Sequence, residues 1–403
     1  MRVDILPSRA AGSVVAPASK SMAHRLLICA AMSEGKSVVR GISDSEDVQA
    51  TLDCISALGV SWDVCGDSVI LHGIDMPNSA PKDHLRCRES GSTLRFMLPV
   101  ALLSGAEVKL WASDALMKRP MGVFESLCRD HGYFYKQDQN EIRVKGPLLA
   151  GDYTVVGNVS SQFISGLLFA LPVVDGDSTI RILPPVESRS YIELTLSALK
   201  EFGVEVSWID ENTLFIKGNQ RYIAHDCRVE GDYSNAAFLE AFNLFGSDVN
   251  VLGLNPDSIQ GDKVYKEYFK LLSDSNPTIN IGNCPDLGPI LFAVAAAKNG
   301  GVFTGTKRLR IKESDRAAAM AAELAKFGAE LIVEDDSVTV LSKGLHAPTE
   351  QIFGHNDHRI VMATSVLLTL TGGSILDAQA VRKSFPDFFE YLQKLGVSLT
   401  IHE

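Results

Sequence analysis

The sequence predicts an α/β (α+β) protein assembled from repeated helix-plus-strand units, and three observations lead there. One phrase recurs along the chain: an amphipathic helix, a glycine just past its end, then a short alternating strand. It returns at intervals of about 70 residues, the size of a supersecondary unit that buries a face against its neighbours. The composition is that of a folded globular protein, 403 residues with 46% apolar and 22% charged side chains, which excludes extended disorder. At ~100–200 residues per domain, that length suggests two to four packed units.

Taken in order, the copies read LDCISALGVSWDV with Gly59 as the stop, then VFESLCRDHGYFY with Gly132. LTLSALKEFGVEVSW follows with Gly203, then AAELAKFGAELIV with Gly328 and YLQKLGVSLTI with Gly396. Apolar residues three and four apart mark each helix face. The glycine supplies the left-handed residue that ends a helix at no steric cost, and the alternation after it marks a half-buried strand. The interval between Gly203 and Gly328 is about two of these periods, so a further copy belongs there. KVYKEYFKLLSDS followed by PTINI fits the slot with its glycine lost, which makes six units. A solenoid is the alternative reading of such a repeat. The ionic motifs fall at unequal places in different units, which favours a closed enzyme with a cleft.

The 49 acidic and 38 basic residues leave a net charge of −11, a field that repels polyanions and argues against nucleic-acid and anionic-membrane partners. The longest nearly apolar run, Phe163 to Val174, is broken by Ser165, Gly166 and Pro172 and is shorter than the ~20 residues a bilayer crossing needs. The opening MRVDILPSRAAGSVVAPASK shows no apolar core behind a basic cap, so no secretory signal is expected. Seven cysteines, widely spaced and without a CxxC, read as reduced thiols acting as small core residues. A cytoplasmic location follows as the expectation.

Against that acidic background the chemistry-bearing segments are cationic. Ser19-Lys20-Ser21-Met22-Ala23-His24-Arg25 leads into an apolar run that Ser19 or Ser21 can cap. Arg25 sits one turn beyond Ser21 on the same face. Helix-start N–H groups plus Lys20 and Arg25 make an anion site, or simply a capped helix with surface cations. Ser90-Gly91-Ser92-Thr93-Leu94-Arg95 repeats the pattern, and Ser160-Ser161-Gln162 does so again before FISGLLFAL. Three such sites read as recognition of substrates carrying more than one anionic group.

Arg119-Pro120 precedes MGVFESL, with the proline expected in the first helical turn. Lys312-Glu313-Ser314-Asp315-Arg316 opens another helix, where Glu313 and Arg316 either pair across a turn or serve as proton carrier and anion grip. His358, in Asp357-His358-Arg359, reads as a capping residue or a site residue. Asp286, between Pro285 and Pro289, reads as an N-cap or as a base toward a hydroxyl; Lys383-Ser384-Phe385-Pro386-Asp387 closes the series. No GxxxxGK[ST], GxGxxG after a strand or GxSxG is present, and no cluster has metal-ligand spacing. Phosphate handling without a nucleotide or metal motif points to small phosphorylated metabolites.

Read in order, PASKSMAHR, ESGSTLRFM, KRPM, SSQFIS, EGDYSNAAF, PDLGP, RLRIKESDR, NDHRIVMA and KSFPDFF resemble the 3-phosphoshikimate 1-carboxyvinyltransferases, also called 5-enolpyruvylshikimate-3-phosphate synthases. The strings run from Pro17 to Phe389 in the family's order. The resemblance implies two domains, each of three βαβαββ units around buried helices, with the ligand cleft between them. Crossings near Ser19-Lys20 and Glu230 put residues 1–19 with 230–403 in a discontinuous domain, mainly the phosphoenolpyruvate side, and 20–229 in an inserted domain, mainly the shikimate 3-phosphate side.

The implied reaction moves the enolpyruvyl group of phosphoenolpyruvate to the 5-hydroxyl of shikimate 3-phosphate through a tetrahedral intermediate, without a cofactor or metal. The resemblance assigns Ser21, Arg25, Ser160, Ser161, Gln162, Ser188, Tyr191, Asp286 and Lys312 to shikimate 3-phosphate. It assigns Lys20, Gly91, Arg95, Arg119, Gln162, Arg316, Arg359 and Lys383 to phosphoenolpyruvate, with His358 close by. Asp286 is the base toward the 5-hydroxyl and Glu313 the acid toward the methylene carbon, with Lys20 the competitor for that proton. The family further implies a monomer and inhibition by glyphosate, for which Gly91 leaves room. The chain departs from the common pattern at Glu89-Ser90-Gly91-Ser92, at Phe96 where proline is frequent, and at Arg308. The nearest rival, the enolpyruvyltransferase acting on UDP-N-acetylglucosamine, carries a reactive cysteine ahead of its Arg-Pro. Here that stretch is Trp111 to Pro120 with no cysteine. Other rivals are a non-catalytic sensor and RNA-end chemistry on a related scaffold; the acidic charge argues against the latter.

Overall fold

A computed structural model describes residues 1–76, 81 and 84–403. The chain forms two compact units, Ala18–Glu230 and a discontinuous one of Met1–Pro17 with Gly231–Glu403. Mixed helices and small sheets make up both, as an α/β (α+β) repeat requires.

One wiring recurs: a parallel strand pair joined to an antiparallel hairpin. In the Ala18–Glu230 unit, Leu85–Arg88 runs parallel to Glu107–Ala112, which pairs antiparallel with Glu141–Lys145 and through it with Phe134–Gln137. Asp152–Val156, Ser178–Leu183, Thr213–Ile216 and Val206–Asp210 repeat it. So do Ser33–Arg40, Ser68–Gly73 and Ser61–Cys65, but their parallel partners are Tyr222–Ile223 and Cys227–Arg228, from the far end of the unit.

The discontinuous unit closes in the same way. Thr278–Asn280, Gly301–Thr304, Ser337–Leu341 and Glu330–Val333 form one complete sheet. In the last sheet Ile352–Phe353 and Gly373–Leu376 are completed by Leu399–His402 and by Arg2–Ile5 from the start of the chain. Val3 and Ile5, both fully buried, point one face of that strand into the core.

All five stop glycines, from Gly59 at φ 107° to Gly396 at φ 84°, adopt the left-handed backbone their position requires. The inserted fourth copy is different. Its helix, Tyr265–Asp274, ends at an extended Ser275, and the chain passes through Pro277 into Thr278–Asn280. That strand, read as the end of the fourth copy, is the first strand of the next sheet. The fourth unit lacks both glycine and hairpin, and its sheet is the parallel pair Ala11–Val15 and Asp248–Leu252.

Each unit packs three buried helices: Lys20–Ala31, Gly91–Leu102 and Ser161–Ala170 in one, Tyr233–Glu240, Gly288–Ala297 and His358–Thr371 in the other. Their first turns carry much of the candidate chemistry. Gly166 shows how closely two of them approach, since a Cβ there would lie 2.3 Å from the Arg95 carbonyl oxygen. The cysteines are free; six are buried and Cys65 is exposed, so the core reading fails for that one. No described helix is long and apolar enough to cross a membrane.

Candidate active site

In the Ala18–Glu230 unit three serines cap the three buried helices. Ser19 accepts from Met22 N at 3.4 Å, Ser90 from Thr93 N at 3.3 Å and Ser160 from Gln162 N at 3.3 Å. None of these helices has an acidic residue in its first turn, so their positive ends keep the polarity that favours an anion.

Arg25 is 2% exposed and ties two helices together. Its Nε donates to Thr195 Oγ1 at 2.8 Å, Nη1 to the Ser21 carbonyl at 2.6 Å and Nη2 to the Tyr191 carbonyl at 2.9 Å. The guanidinium also lies over the Phe96 ring, 5.1 Å from its centre, a favourable cation–π contact. Its acceptors are neutral, and burial pushes its pKa down to about 10. It is still charged at neutral pH. Ser188 precedes this second helix with a left-handed φ of 55°, a conformation uncommon for a residue with a side chain.

A second cluster joins the other two helix starts. Arg95 Nη1 donates to Gln162 Oε1 at 2.7 Å, while Gln162 Nε2 donates to Ser92 Oγ at 2.8 Å. Gln162 is thereby fixed in orientation, both amide groups engaged. A Cβ on Gly91 would lie 3.1 Å from Arg95 Nη1 and 3.2 Å from Arg119 Nη1. The two arginines therefore converge on the backbone at Gly91. Lys20 Nζ bonds Asp47 Oδ2 at 2.7 Å. Beneath lies a buried chain of hydroxyls, His24 Nδ1 to Thr51 at 2.7 Å, Thr51 to Thr93 at 2.8 Å and Thr93 to Ser90 at 2.8 Å. Burial, Lys20 and Arg25 hold His24 well below the ordinary imidazole pKa, so its ring is neutral.

In the discontinuous unit the hub is Arg316, 1% exposed. Its Nη1 meets Asp286 Oδ1 at 2.8 Å, Nη2 meets Glu313 Oε2 at 2.6 Å, and Nε meets Asp357 Oδ2 at 2.8 Å. Burial works against the charge, but Asp357, Glu313 and Asp286 outweigh it and hold the guanidinium well above its usual range. Asp286 also receives Lys312 Nζ at 3.2 Å and Arg359 Nη2 at 3.3 Å. Burial pulls Lys312 down; Asp286 resists the shift while Arg308 and Arg316 reinforce it. Lys383 Nζ donates to the Asn356 carbonyl at 2.6 Å.

Three local expectations change and a fourth holds. Asp286 does not cap a helix; it lies in the short turn Pro285–Leu287 with its carboxylate among cations. His358 is not the cap of its helix. Asp357 is, accepting from Arg359 N at 2.9 Å, and His358 is buried as the first helical residue. Pro120 stands before the cap Met121 rather than in the first turn, and its carbonyl accepts from Arg95 Nη2 at 3.3 Å. Glu313 and Arg316 do pair across a turn.

Sequence reasoning missed the partners of the cations. Asp47 and Thr195 carry no motif of their own, and Asn356 and Asp357 were read only as neighbours of His358. The available signal was positional: Thr195 stands four residues after Tyr191, on the same helix face.

Residues 6–392 match the family model described as EPSP synthase (3-phosphoshikimate 1-carboxyvinyltransferase). The chain is 37% identical to the 3-phosphoshikimate 1-carboxyvinyltransferase of Clostridium kluyveri over 98% of its length and 97% of that protein's. It is 37% identical to the Clostridium beijerinckii protein of the same name, over 97% of each. Among solved structures, an EPSP synthase from Acinetobacter baumannii superposes with a TM-score of 0.81 at 24% identity, covering all of both chains. With the family model spanning nearly the whole chain, the protein belongs to the EPSP synthase (3-phosphoshikimate 1-carboxyvinyltransferase) family.

Proposed function

We infer that the protein transfers the enolpyruvyl group of phosphoenolpyruvate to the 5-hydroxyl of shikimate 3-phosphate and releases phosphate. This is a step toward chorismate and the aromatic amino acids. The observation that carries the reading is the family match across residues 6–392.

The chemistry balances with side chains alone. A proton added to the methylene carbon leaves a cationic centre, which the 5-oxygen attacks as its own proton departs. The tetrahedral intermediate then loses a methyl proton and phosphate, and the enol ether remains. Asp286 takes the hydroxyl proton and Glu313 delivers a proton to the methylene carbon; Lys20 is the alternative donor. What supports this division is that Asp286 and Glu313 are held on adjacent nitrogens of one guanidinium, that of Arg316. One rigid group thus sets the spacing of both proton carriers.

Ser21, Arg25, Ser160, Ser161, Gln162, Ser188, Tyr191 and Lys312 bind shikimate 3-phosphate in this assignment. Lys20, Gly91, Arg95, Arg119, Gln162, Arg316, Arg359 and Lys383 take phosphoenolpyruvate, with His358 beside them. Arg25 suits a phosphate because its present acceptors are neutral and weaker than an anion. Arg316 must exchange one carboxylate for the incoming anion. The protein acts as a cytoplasmic monomer, a reading that the free thiols support for the compartment.

The test is phosphate release with each substrate omitted in turn, in excess chelator. Release requires both phosphoenolpyruvate and shikimate 3-phosphate. Equal release with UDP-N-acetylglucosamine as acceptor would assign the chain to the rival transferase, and tight binding without turnover would make it a sensor.

A further inference from the structure

We propose that Glu323 and His355 form a clamp that positions the turn carrying Asn356 to Arg359, and that both are positioning residues for the phosphoenolpyruvate side. The inference rests on the function above only in assigning Lys383 and Arg359 to that substrate.

Glu323 is 2% exposed on the Arg316–Lys326 helix, about two turns beyond Arg316. Its carboxylate collects three donors: Lys326 Nζ at 2.7 Å, His355 Nε2 at 2.8 Å and the Phe353 N–H at 2.9 Å. Because a carboxylate only accepts, the Nε2 facing it carries the proton. Burial alone would raise the pKa of Glu323. His355, Lys326 and the Phe353 amide outweigh it and hold the carboxyl below its usual value.

The turn that His355 anchors is costly to form. His355 at φ 52° and Asn356 at φ 51° are consecutive left-handed residues, a conformation that His and Asn adopt more readily than most side chains but that is uncommon twice in a row. A Cβ on Gly354 would lie 2.8 Å from the Asp377 carbonyl oxygen, so the backbone is tightly enclosed there. What the strained turn delivers is specific. The Asn356 carbonyl accepts Lys383 Nζ, and Asp357 receives both Arg316 Nε and Ser314 Oγ while capping Arg359. Strain kept at such a place needs a surrounding structure that holds it. The paired Glu323 and His355 supply that hold from outside the site.

The test compares two substitutions. Asparagine tolerates left-handed backbone, so His355→Asn removes the ring Nε2 without adding strain. His355→Gln returns an amide N–H at about the reach of Nε2. With folding checked by thermal melting, His355→Asn is expected to speed amide exchange at Asp357 and Arg359. It should raise the KM for phosphoenolpyruvate about tenfold while that for shikimate 3-phosphate stays within about twofold. His355→Gln should return both readouts toward the wild type. Unchanged exchange, unchanged KM despite faster exchange, a parallel rise of both KM values, or a Gln variant no better than Asn would each overturn the clamp. Should the wild type prove not to use phosphoenolpyruvate, the functional reading fails separately, and the exchange measurement alone decides whether the clamp exists.

Discussion

The two units treat a buried arginine in opposite ways. Arg25 is surrounded by carbonyls, a threonine hydroxyl and a phenyl ring, and burial lowers its pKa. Arg316, just as buried, is enclosed by three carboxylates, and its pKa is raised. The first arrangement leaves positive charge under-compensated and suited to an arriving dianion. The second is a hub in which Arg316, Lys312 and Arg359 together meet Asp286, Glu313 and Asp357. Burial alone therefore does not decide which way an arginine's pKa moves; the charge of its partners does.

That contrast breaks most readily at the hub. Arg316→Met strips the common cation from three clustered carboxylates, of which Asp357 is fully buried. Breaking a buried ion pair from one side costs about 3–5 kcal/mol, so urea denaturation should show a loss of that size. Arg25→Met leaves only neutral acceptors behind and should cost no more than about 2 kcal/mol, while abolishing shikimate 3-phosphate binding in calorimetry. Equal losses at the two positions would erase the distinction.

A smaller effect follows from His24. Its pKa is depressed on folding, so below the unfolded value near ~6.5 the unfolded chain binds the extra proton. Its stabilising contribution is present above that pH and falls by about 1.4 kcal/mol per unit below it. Wild type minus His24→Gln, compared at pH 7 and pH 5 by denaturation, should therefore be smaller at pH 5. A pH-independent difference would mean that the ring titrates in the folded protein as it does in the unfolded chain.

Gly91→Ala probes the place where Arg95 and Arg119 converge. The added methyl forces a few tenths of an ångström of movement, and about a tenfold rise in phosphoenolpyruvate KM is expected. Glyphosate is expected to inhibit the wild type in competition with phosphoenolpyruvate, and Gly91→Ala should weaken that inhibition. Phe96→Leu gives the smallest change, removing a cation–π contact of about 0.5–2 kcal/mol and raising the shikimate 3-phosphate KM by a few-fold.

Local backbone chemistry was legible in the sequence; distant pairing was not. Gly59 and Gly396 announced their helix ends because an αL residue costs a glycine little. The fourth unit misled because its hairpin is missing, so PTINI was read as its end instead of the next sheet's beginning. Nothing near Arg2–Ile5 says that it completes a sheet with Leu399–His402. The site divides likewise. Lys20, Arg95, Arg316 and Arg359 stand in short motifs, whereas Asp47 and Asp357 meet Lys20 and Arg316 only through the tertiary fold.

The most direct measurement is proton and phosphorus NMR of the wild-type protein mixed with phosphoenolpyruvate and shikimate 3-phosphate. Enolpyruvyl transfer predicts vinyl protons of a new enol ether on the 5-oxygen, appearing in equal amount with inorganic phosphate. Phosphate accompanied by pyruvate, with shikimate 3-phosphate unchanged, would contradict the account.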